Sequence, residues 1–437
     1  MARKHSLSRR GFLKRAAVAA GAAAAVPAFV PATSLGKDGA TAPSDRILMG
    51  IIGCGGMGNG DMGGLMGCKG VQFLAACDVH KSQLNRSLGS INRRNKTKDA
   101  KGYLDFRELI GRGDLDAVIM ALPDQWHAIP AIAAAKAGLD IYGEKPLARS
   151  IREARAMANA VHRYERVWQT GSQQRSSGRF RYACELVRNG RIGKVHRIEV
   201  GLPTGRGGGD ATEKPVPEGL DWDRWLGPAP YKPYTSGIVH FHWRWFMDYS
   251  GGQLTDWAGH HIDIAHWGVG LERKGPIEIR PDQATYPTDG LYNAPTHYQF
   301  TCQYDNDAWK GELSVANNQV YWQGAKWYGE NGQWIHVSRR GMRLSDPKIN
   351  VPLDASEIHL YPSGNHRANF IDCVRNRKET IAPIEIGLRS ISVALLGEIA
   401  MLLGRTIKWN PDTEEIIGDP AASALLGRPY RAPWTLE

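Results

Sequence analysis

The segment ILMGIIGCGGMG, residues 47–58, joins a short apolar run to a glycine-rich turn. The run has the length and composition of a buried parallel strand. The turn fits the pattern G-x-G-x-x-G, in which glycines permit a tight turn and let the backbone approach a pyrophosphate at the start of a helix. The segment therefore predicts a dinucleotide site, with contacts from Gly53, Gly55, Gly56, Met57 and Gly58.

A carboxylate follows the next predicted strand, Val71–Cys77. Asp78 lies 20 residues after Gly58, which is the spacing at which an acidic side chain accepts hydrogen bonds from an adenosine ribose. Because this carboxylate would repel a 2′-phosphate, the sequence favours NAD over NADP. Lys81 is close enough along the chain to keep NADP open as the alternative.

Strands and helices alternate over residues 46–166, a pattern that predicts a parallel sheet with right-handed crossovers. After residue 166 the predicted strands are longer, alternate more regularly and are separated by Gly- and Pro-rich loops. We therefore predict an α/β protein with two domains: an NAD-binding Rossmann domain at residues 46–166 and an α/β domain at residues 167–437. The second domain is expected to hold a large, open, mostly antiparallel sheet, a C-terminal helix at Gly387–Leu403 and an extended Pro-rich tail.

The N-terminal residues have the layout of an export signal. Residues 1–15 hold six cations and no acid, an apolar run at residues 16–26 follows, and Val30-Pro31-Ala32 offers small residues for cleavage. The stretch Ser8–Lys14 resembles the twin-arginine signal. Residues 1–32 are therefore predicted to be a signal peptide read by the Tat machinery, which implies a periplasmic protein, and residues 33–45 a linker. The apolar run is shorter than the roughly 20 residues of a spanning helix, so no stable membrane anchor is expected.

Composition narrows the range of partners. The formal net charge is +11, and loss of the predicted signal peptide would leave a net charge near +5. No basic run follows the signal, so a nucleic-acid groove is not expected. The chain has 14 tryptophans, several of them beside polar residues. These rings serve either core packing or as platforms for sugar rings.

Two polar segments, Pro123–His127 and Glu144–Pro146, follow predicted strands of the parallel sheet. Ligands bind at the carboxyl ends of such strands. At that edge, Lys145 could hydrogen-bond a substrate hydroxyl and the oxyanion that forms as hydride leaves. The alternative interpretation is an ordinary surface lysine.

A third polar segment, GGQLTDWAGHHIDIAHW, spans residues 251–267. Asp256 and His260 are four residues apart and would share one face of a helix, where a carboxylate beside an imidazole gives an oriented base. His260, Asp263 and His266 could instead line a metal site. That spacing matches no recognised ligand pattern and lacks a fourth ligand, so no metal is predicted. His261 is interpreted as a packing residue.

Together these motifs resemble the Gfo/Idh/MocA oxidoreductases, the family of glucose–fructose oxidoreductase and the inositol dehydrogenases. The resemblance rests on the glycine turn, Asp78, the segments at 123–127 and 144–146, and Asp256-x-x-x-His260. It implies that Lys145 lies beside the nicotinamide, His260 is the acid/base and Asp256 contacts the substrate hydroxyl. Further cofactor contacts are expected from Pro123, His127 and Glu144.

Residues nearer the substrate are expected at Trp126, Arg244 and His366. The segments around Arg244 and His366 resemble ones that lie near substrate in relatives. One position departs from the family pattern: members usually carry Gly two residues after the Asp, where Ala258 stands here, and Gly259 follows it.

The resemblance implies an NAD-dependent oxidoreductase that acts on a sugar, glycoside or cyclitol hydroxyl, assembled as a homo-oligomer (dimer or tetramer). The alternative is an NAD-dependent glycoside hydrolase or lyase that works by transient C3 oxidation and elimination. A third class, a cofactor-bound binding protein, is disfavoured by Lys145, Asp256 and His260 together. Because nothing replenishes free NAD outside the cytoplasm, an exported enzyme is expected to retain its cofactor and return the hydride in each cycle.

Overall fold

The structure is a computed structural model that describes residues 41–436. The predicted signal peptide, residues 1–32, lies outside the described residues. Of the predicted linker, residues 41–45 are described, and they include one short 3-10 turn, Pro43–Asp45.

The first sheet is parallel and has six strands in the order β3-β2-β1-β4-β5-β6. The strands are β1 Ile47–Ile52, β2 Val71–Cys77, β3 Lys101–Tyr103, β4 Ala117–Met120, β5 Asp140–Gly143 and β6 Trp168–Thr170. The helices that accompany them are α1 Gly56–Met66, α2 Lys81–Asn95, α3 Phe106–Ile110, α4 Ala128–Lys136 and α5 Ile151–Arg163. This sheet confirms the predicted Rossmann fold, and β1 and β2 have the predicted bounds.

The second sheet has nine strands in the order β13-β12-β11-β7-β10-β9-β8-β14-β15. Its strands are β7 Arg197–Gly201, β8 Glu278–Thr285, β9 His297–Asp305, β10 Lys310–Ala316, β11 Gly324–Tyr328, β12 Trp334–Ser338, β13 Gly341–Leu344, β14 Ile407–Asn410 and β15 Glu415–Ile417. Only β7 and β10 pair in parallel; the other neighbours are antiparallel. The mostly antiparallel sheet is thereby confirmed.

Helices pack on one face of this second sheet. The remaining helices are α6 Gly178–Arg188, α7 Trp222–Leu226, α8 Gly252–Trp257, α9 Asp263–Val269, α10 His366–Asn376, α11 Ile384–Leu403 and α12 Pro420–Ala424. The fully buried Trp327 of β11 donates its indole N–H to the carbonyl of Ala265 in α9, at 3.1 Å. Within the described residues α11 alone is long and apolar enough to cross a membrane, and most of it is buried in this core.

The C-terminal tail corrects one expectation. Residues 408–437 were expected to be extended, but the tail supplies β14 and β15, which extend the nine-stranded sheet, and the short helix α12. The buried side chains Trp409 and Ile416 explain the difference, because alternating apolar residues give these strands a core-facing side.

A long segment connects β7 to α8 and lies over the parallel sheet. We call residues 202–250 the cover segment. It contains α7 and has a small aromatic core of its own, which includes Trp222, Trp225, Tyr234, Trp243 and Phe246. It is therefore a packed layer rather than an open loop, and it forms one wall of the site described next.

Candidate active site

The glycine turn has the geometry that a dinucleotide requires. Gly53 has φ +92°, and a Cβ there would lie 2.2 Å from the carbonyl oxygen of Ala121, so only glycine fits. Gly55 and Gly56 face open space. Helix α1 begins at Gly56 without a side-chain cap, which leaves N–H groups of its first turn for an anion. The turn therefore fits a pyrophosphate.

Asp78 stands directly behind this turn. Its carboxylate accepts hydrogen bonds from the backbone N–H of Cys54, at 2.7 Å, and of His80, at 2.8 Å. Burial raises the pKa of Asp78, while these two bonds oppose the rise. The side chain thus braces the glycine turn and still borders the cavity. The alternative cation, Lys81, is not among the residues that line the cavity.

A cavity of about 460 Å³ lies between the glycine turn and the cover segment. Of the predicted cofactor contacts, eight border it: Gly53, Gly55, Gly56, Met57, Asp78, Pro123, Glu144 and Lys145. Two do not. Gly58 lies behind the turn, where a Cβ would approach the oxygen of Gly53 to 2.1 Å. His127 bridges the carbonyls of Leu122 and Pro146, at 2.8 and 2.7 Å, and so ties together the loops after β4 and β5.

The cover segment is fastened to the parallel sheet by backbone hydrogen bonds. Lys81 N donates to Gly219 O at 2.8 Å, and Asp221 N donates to Val79 O at 2.9 Å. The indole of Trp126 also donates to the carbonyl of Trp225, at 3.0 Å. The cover segment therefore forms one wall of the cavity. It is hydrogen-bonded to the chain that follows β2 and to the loop that follows β4.

Lys145 and Asp256 meet at the end of this cavity. Lys145 Nζ donates to Asp256 Oδ1 at 2.9 Å and to the backbone oxygen of Asp256 at 3.2 Å, and Arg244 Nε lies 3.4 Å from the same Oδ1. Burial would raise the pKa of Asp256, but the Lys145 and Arg244 charges prevail and lower it. An ammonium group has three N–H donors. One donor of Lys145 is thus left for a ligand.

Glu144 precedes Lys145 and lies near a second buried carboxyl group, that of Asp61. Burial and the nearby Asp61 carboxylate raise the pKa of Glu144 well above its ordinary value. Gln173 donates to its Oε1 at 3.0 Å. The ion pair of Lys145 is formed with Asp256, at 2.9 Å.

A π-helical turn, Ala258–Ile262, separates α8 from α9 and carries His260. The sequence predicted a plain α-helix that would place His260 beside the Asp256 carboxylate; instead that carboxylate is directed at Lys145 and Arg244. A Cβ at Gly259 would lie 3.0 Å from Cβ of Lys145. Glycine at position 259 lets the turn pack closely against the aliphatic part of the Lys145 side chain. This close contact explains why a glycine stands here, one position later than in the family pattern.

His260 is 4% exposed, and its Nδ1 has no hydrogen-bond partner among the described residues. Burial, with the charges of Lys145 and Arg339, lowers its pKa well below the ordinary value. The imidazole is therefore neutral at physiological pH and able to accept a proton. The Trp257 ring lies against it, with centroids 5.5 Å apart.

The far end of the same segment is closed off. Asp263 accepts from Arg175 Nε at 2.7 Å and from its Nη2 at 2.8 Å, and both side chains are almost fully buried. His266 Nε2 lies 2.9 Å from the Tyr304 hydroxyl. Asp263 is therefore engaged by protein groups, and His266 is engaged through Nε2, while its Nδ1 has no partner among the described residues. His261 is buried at 1% exposure, as expected of a packing residue.

The three predicted substrate residues lie in different places. Arg244 lies at Asp256, as above, and borders the cofactor cavity, as does Trp126. Trp126 packs edge-on to Trp434, with centroids 4.7 Å apart. His366 is buried with both nitrogens engaged, by Ser176 Oγ at 2.7 Å and Thr170 O at 2.8 Å. This corrects the expectation for His366, because neither nitrogen is left for a substrate.

Arg339 is the site residue that the sequence did not indicate. Its guanidinium carbon lies 4.6 Å from the centroid of the Trp257 ring, and its charge contributes to the lowered pKa of His260. It comes from the turn between β12 and β13, far along the chain from the motifs. A lone arginine in a strand turn carries no pattern that could have singled it out.

Comparison with known proteins agrees with this geometry. Residues 47–172 match the model of the Gfo/Idh/MocA oxidoreductase family's NAD-binding Rossmann fold, and residues 204–436 match that of its C-terminal α/β domain. A curated relative, glycosyl hydrolase family 109 protein 1 of Shewanella sp. strain ANA-3, is 32% identical over 176 residues. That match covers 37% of this chain and 38% of the relative, so the chain matches less than two-fifths of the relative's length.

Solved structures share the fold at low sequence identity. The WlbA dehydrogenase of Bordetella pertussis, in complex with NADH and UDP-GlcNAcA, has a TM-score of 0.62 and 17% identity, over 84% of this chain and 99% of that one. The aldose–aldose oxidoreductase of Caulobacter crescentus, complexed with glycerol, has a TM-score of 0.60 and 19% identity, over 83% and 99%.

Proposed function

The chain belongs to the Gfo/Idh/MocA family of NAD(P)-dependent oxidoreductases, and from this premise we propose that it oxidises a hydroxyl of a sugar, glycoside or cyclitol and returns the hydride before releasing product. The observation that carries the proposal is the Lys145 ammonium, held by Asp256 at the end of the cofactor cavity with one donor free. The two structures compared above, one of them holding a nucleotide sugar, support a carbohydrate substrate.

The protein's own groups divide the chemistry as follows. A bound nicotinamide supplies the hydride acceptor and donor. Lys145 donates its free N–H to the substrate oxygen and stabilises the negative charge that develops there. The neutral imidazole of His260 takes the hydroxyl proton and gives it back on reduction. Asp256 holds the Lys145 ammonium in place through the ion pair at 2.9 Å.

We further propose that the cofactor stays bound between turnovers. The cover segment supports this, because it borders the cavity and is hydrogen-bonded to the β2–α2 connection through Gly219 and Asp221. The purified protein is expected to turn over many times with no cofactor added. Extensive dialysis followed by a cofactor-free assay tests this. Activity restored only by stoichiometric NAD, with NADH accumulating one-for-one with product, would identify an ordinary dehydrogenase.

NAD is the proposed dinucleotide, with Asp78 as the discriminating residue. Its carboxylate borders the cavity and would repel a 2′-phosphate. Thermal-shift titration of cofactor-stripped protein should give the larger stabilisation with NAD. Asp78→Asn should reduce the difference between the stabilisation by NAD and that by NADP. The substitution also weakens the hydrogen bond that Asp78 accepts from Cys54 N. A preference for NADP in the unmodified protein would reverse the assignment.

A glycoside hydrolase or lyase reaction is the second candidate, favoured by the relative named glycosyl hydrolase family 109. In this reaction C3 oxidation acidifies the C2–H bond, a base removes that proton, the C1–O bond to the aglycone breaks, water adds to the double bond, and the ketone is reduced. Turnover in D₂O distinguishes the two. The elimination route places deuterium on C2 of the product, whereas simple hydroxyl oxidation and return leaves C2 protonated.

Export and assembly complete the proposal. Residues 1–32 are proposed to direct the folded protein to the periplasm through the twin-arginine translocase, and the protein is proposed to form a dimer or tetramer. Fractionation of cells that express the Arg9→Lys/Arg10→Lys variant tests the first point. Light scattering of the purified protein tests the second, and a monomer would reject it.

A further inference from the structure

A second cavity, of about 780 Å³, lies at one end of the nine-stranded sheet, beside the segment that carries His260. It is bordered by the end of β7, the loop that precedes β11 and the turn between β12 and β13, together with Trp257 and His261. Its volume lies within the range of about 300–1,000 Å³ found for small-molecule sites. Among the residues of the family motifs, only Trp257 and His261 of this helical segment border the second cavity.

The cavity carries unbalanced positive charge. Arg339, Arg340 and Arg343 border it, and the lining contains no Asp or Glu. None of the three guanidinium groups forms an ion pair with a carboxylate in residues 41–436, whereas Arg280, in β8 of the same sheet, pairs with Asp282 at 3.2 Å. Such a cluster of exposed, unpaired arginines favours an anionic ligand with planar or phosphate-like geometry.

Two buried imidazoles among the residues that border the cavity have a nitrogen without a hydrogen-bond partner in residues 41–436. These nitrogens are Nε2 of His261, a side chain 1% exposed, and Nδ1 of His336, 5% exposed. His336 Nε2 lies 3.2 Å from the carbonyl oxygen of Gln323, so it carries the hydrogen and donates. His336 Nδ1 is consequently an acceptor without a donor among the described residues.

An aromatic ring completes the lining. Trp322 is 50% exposed and packs edge-on against His336, with centroids 5.4 Å apart, and against Trp334 at 5.8 Å. Arg343 lies over its ring, 4.9 Å from the centroid. A half-exposed indole beside hydroxyl acceptors suits the apolar face of a sugar ring.

The cavity adjoins the proposed reaction centre through one side chain. The Trp257 ring borders the cavity, contacts the ring of His260 and lies under the guanidinium of Arg339. We propose that this cavity binds an anionic sugar unit, bearing a carboxylate or a sulfate or phosphate ester, of the carbohydrate whose adjoining unit reacts at Lys145 and His260. The inference rests on the proposed function for that reacting unit.

Binding rather than turnover tests the cavity. The double variant Arg340→Gln/Arg343→Gln removes two exposed charges outside the reaction centre, and Arg280→Gln is the matched control on the same sheet. Saturation-transfer NMR titrations would use D-glucose, D-glucuronate, D-glucose 6-sulfate and D-glucose 6-phosphate. We expect the unmodified protein to bind at least one acidic sugar about tenfold or more tightly than glucose, with that preference lost in the double variant and kept in Arg280→Gln. The ester and uronate arms identify which anionic group is recognised.

Four results would overturn the proposal. Equal affinity for glucose and all acidic sugars would remove the anionic requirement, as would a preference that survives the double variant. Inorganic sulfate that binds as tightly as the sugar ester would leave an anion site without sugar recognition. A changed oligomeric state with unchanged sugar affinity would assign the arginines to a subunit contact. Acidic-sugar binding without turnover of any glycoside would instead reject the proposed function and keep the sugar site.

Discussion

The helical segment at residues 252–269 carries an aspartate and a histidine near each end, and the two ends have opposite surroundings. At the first end, Asp256 meets Lys145 through one carboxylate oxygen beside the cofactor cavity, and Nδ1 of His260 has no partner. At the second end, Asp263 takes two hydrogen bonds from Arg175 in the core, and His266 bonds to Tyr304 through Nε2 while its Nδ1 also has no partner among the described residues. The two aspartates thus differ: Asp256 forms an open pair beside the cavity, and Asp263 forms a closed, buried pair.

The two ends of the segment differ in which hydrogen-bond donors and acceptors remain free for a ligand, rather than in the types of residue. At the closed end Arg175 and Asp263 are both almost fully buried, and Ser390 of α11 also bonds to Asp263 at 3.1 Å. The open end keeps one donor of Lys145 and a neutral His260. Rigid packing at one end is what allows the other end to hold unsatisfied groups at a defined position.

The largest expected effect is on the open pair. Lys145→Ala should abolish turnover, a loss beyond about 10⁴-fold, because both charge stabilisation at the substrate oxygen and the partner of Asp256 disappear. The cofactor should stay bound, since the glycine turn holds its pyrophosphate. Absorbance of the dialysed protein and a product assay measure the two quantities, with the exposed Lys136→Ala as control. Retained turnover would assign the oxyanion contact elsewhere.

The two histidines should separate in kinetics. His260→Ala should lower kcat by about 10²–10⁴-fold, the range for a lost general acid–base. His266→Ala, at the closed end, should lower stability while leaving kcat within a few-fold in the folded protein. Steady-state kinetics of both variants on one substrate give the comparison. Similar kcat losses for both variants would mean that the ends are not functionally distinct.

Breaking the closed pair should cost stability. Arg175→Met leaves the Asp263 carboxylate buried without its cation, and removing one partner of a buried ion pair costs about 3–5 kcal/mol in the free energy of unfolding. Urea unfolding measures this loss. Arg280→Gln removes one partner of an exposed ion pair and should change the free energy of unfolding by less than about 1 kcal/mol. Comparable losses in the two variants would show that the closed end is not a structural anchor.

The smallest effect is a pH dependence. Burial, together with the Arg175 charge, lowers the pKa of His266 to about 3. Between that value and the ordinary His pKa near 6.5 the unfolded chain binds one more proton than the folded chain. The stability that His266 contributes is therefore present above about pH 6.5 and lost as the pH falls. Relative to His266→Phe, the unfolding free energy of the unmodified protein should fall by about 1.4 kcal/mol per pH unit between about pH 5.5 and 4. A difference independent of pH would contradict it.

The sequence predicted the first two strands of the parallel sheet well because they are mostly apolar runs. Ile47–Ile52 is followed by Gly53 and Val71–Cys77 by Asp78, and the structure gives both strands the predicted bounds. The short strands Lys101–Tyr103 and Trp168–Thr170 were not predicted, because their residues form no apolar run. Lys145 and Asp256 could be singled out from their motifs. Their ion pair could not be predicted, because it depends on the π-helical turn and on Gly259 pressing against the lysine stem.

The features that could not be predicted depend on long-range packing, which leaves no periodic pattern in the local sequence. The cover segment reads as Gly- and Pro-rich loop, yet its tryptophans form a core of their own. Arg339 reaches the site only because the β12–β13 turn lies beside Trp257. His366 stands before an apolar stretch with no sign that Ser176 and Thr170 would occupy both of its nitrogens.

The fastened cover segment also changes what the dinucleotide is to the protein. A ligand that binds only the folded state adds RT ln(1 + [L]/Kd) to the free energy of unfolding. Residues of both the glycine turn and the cover segment border the cavity, so a bound dinucleotide would contact both. On the proposal that the cofactor is retained, its removal should lower the melting temperature of the protein.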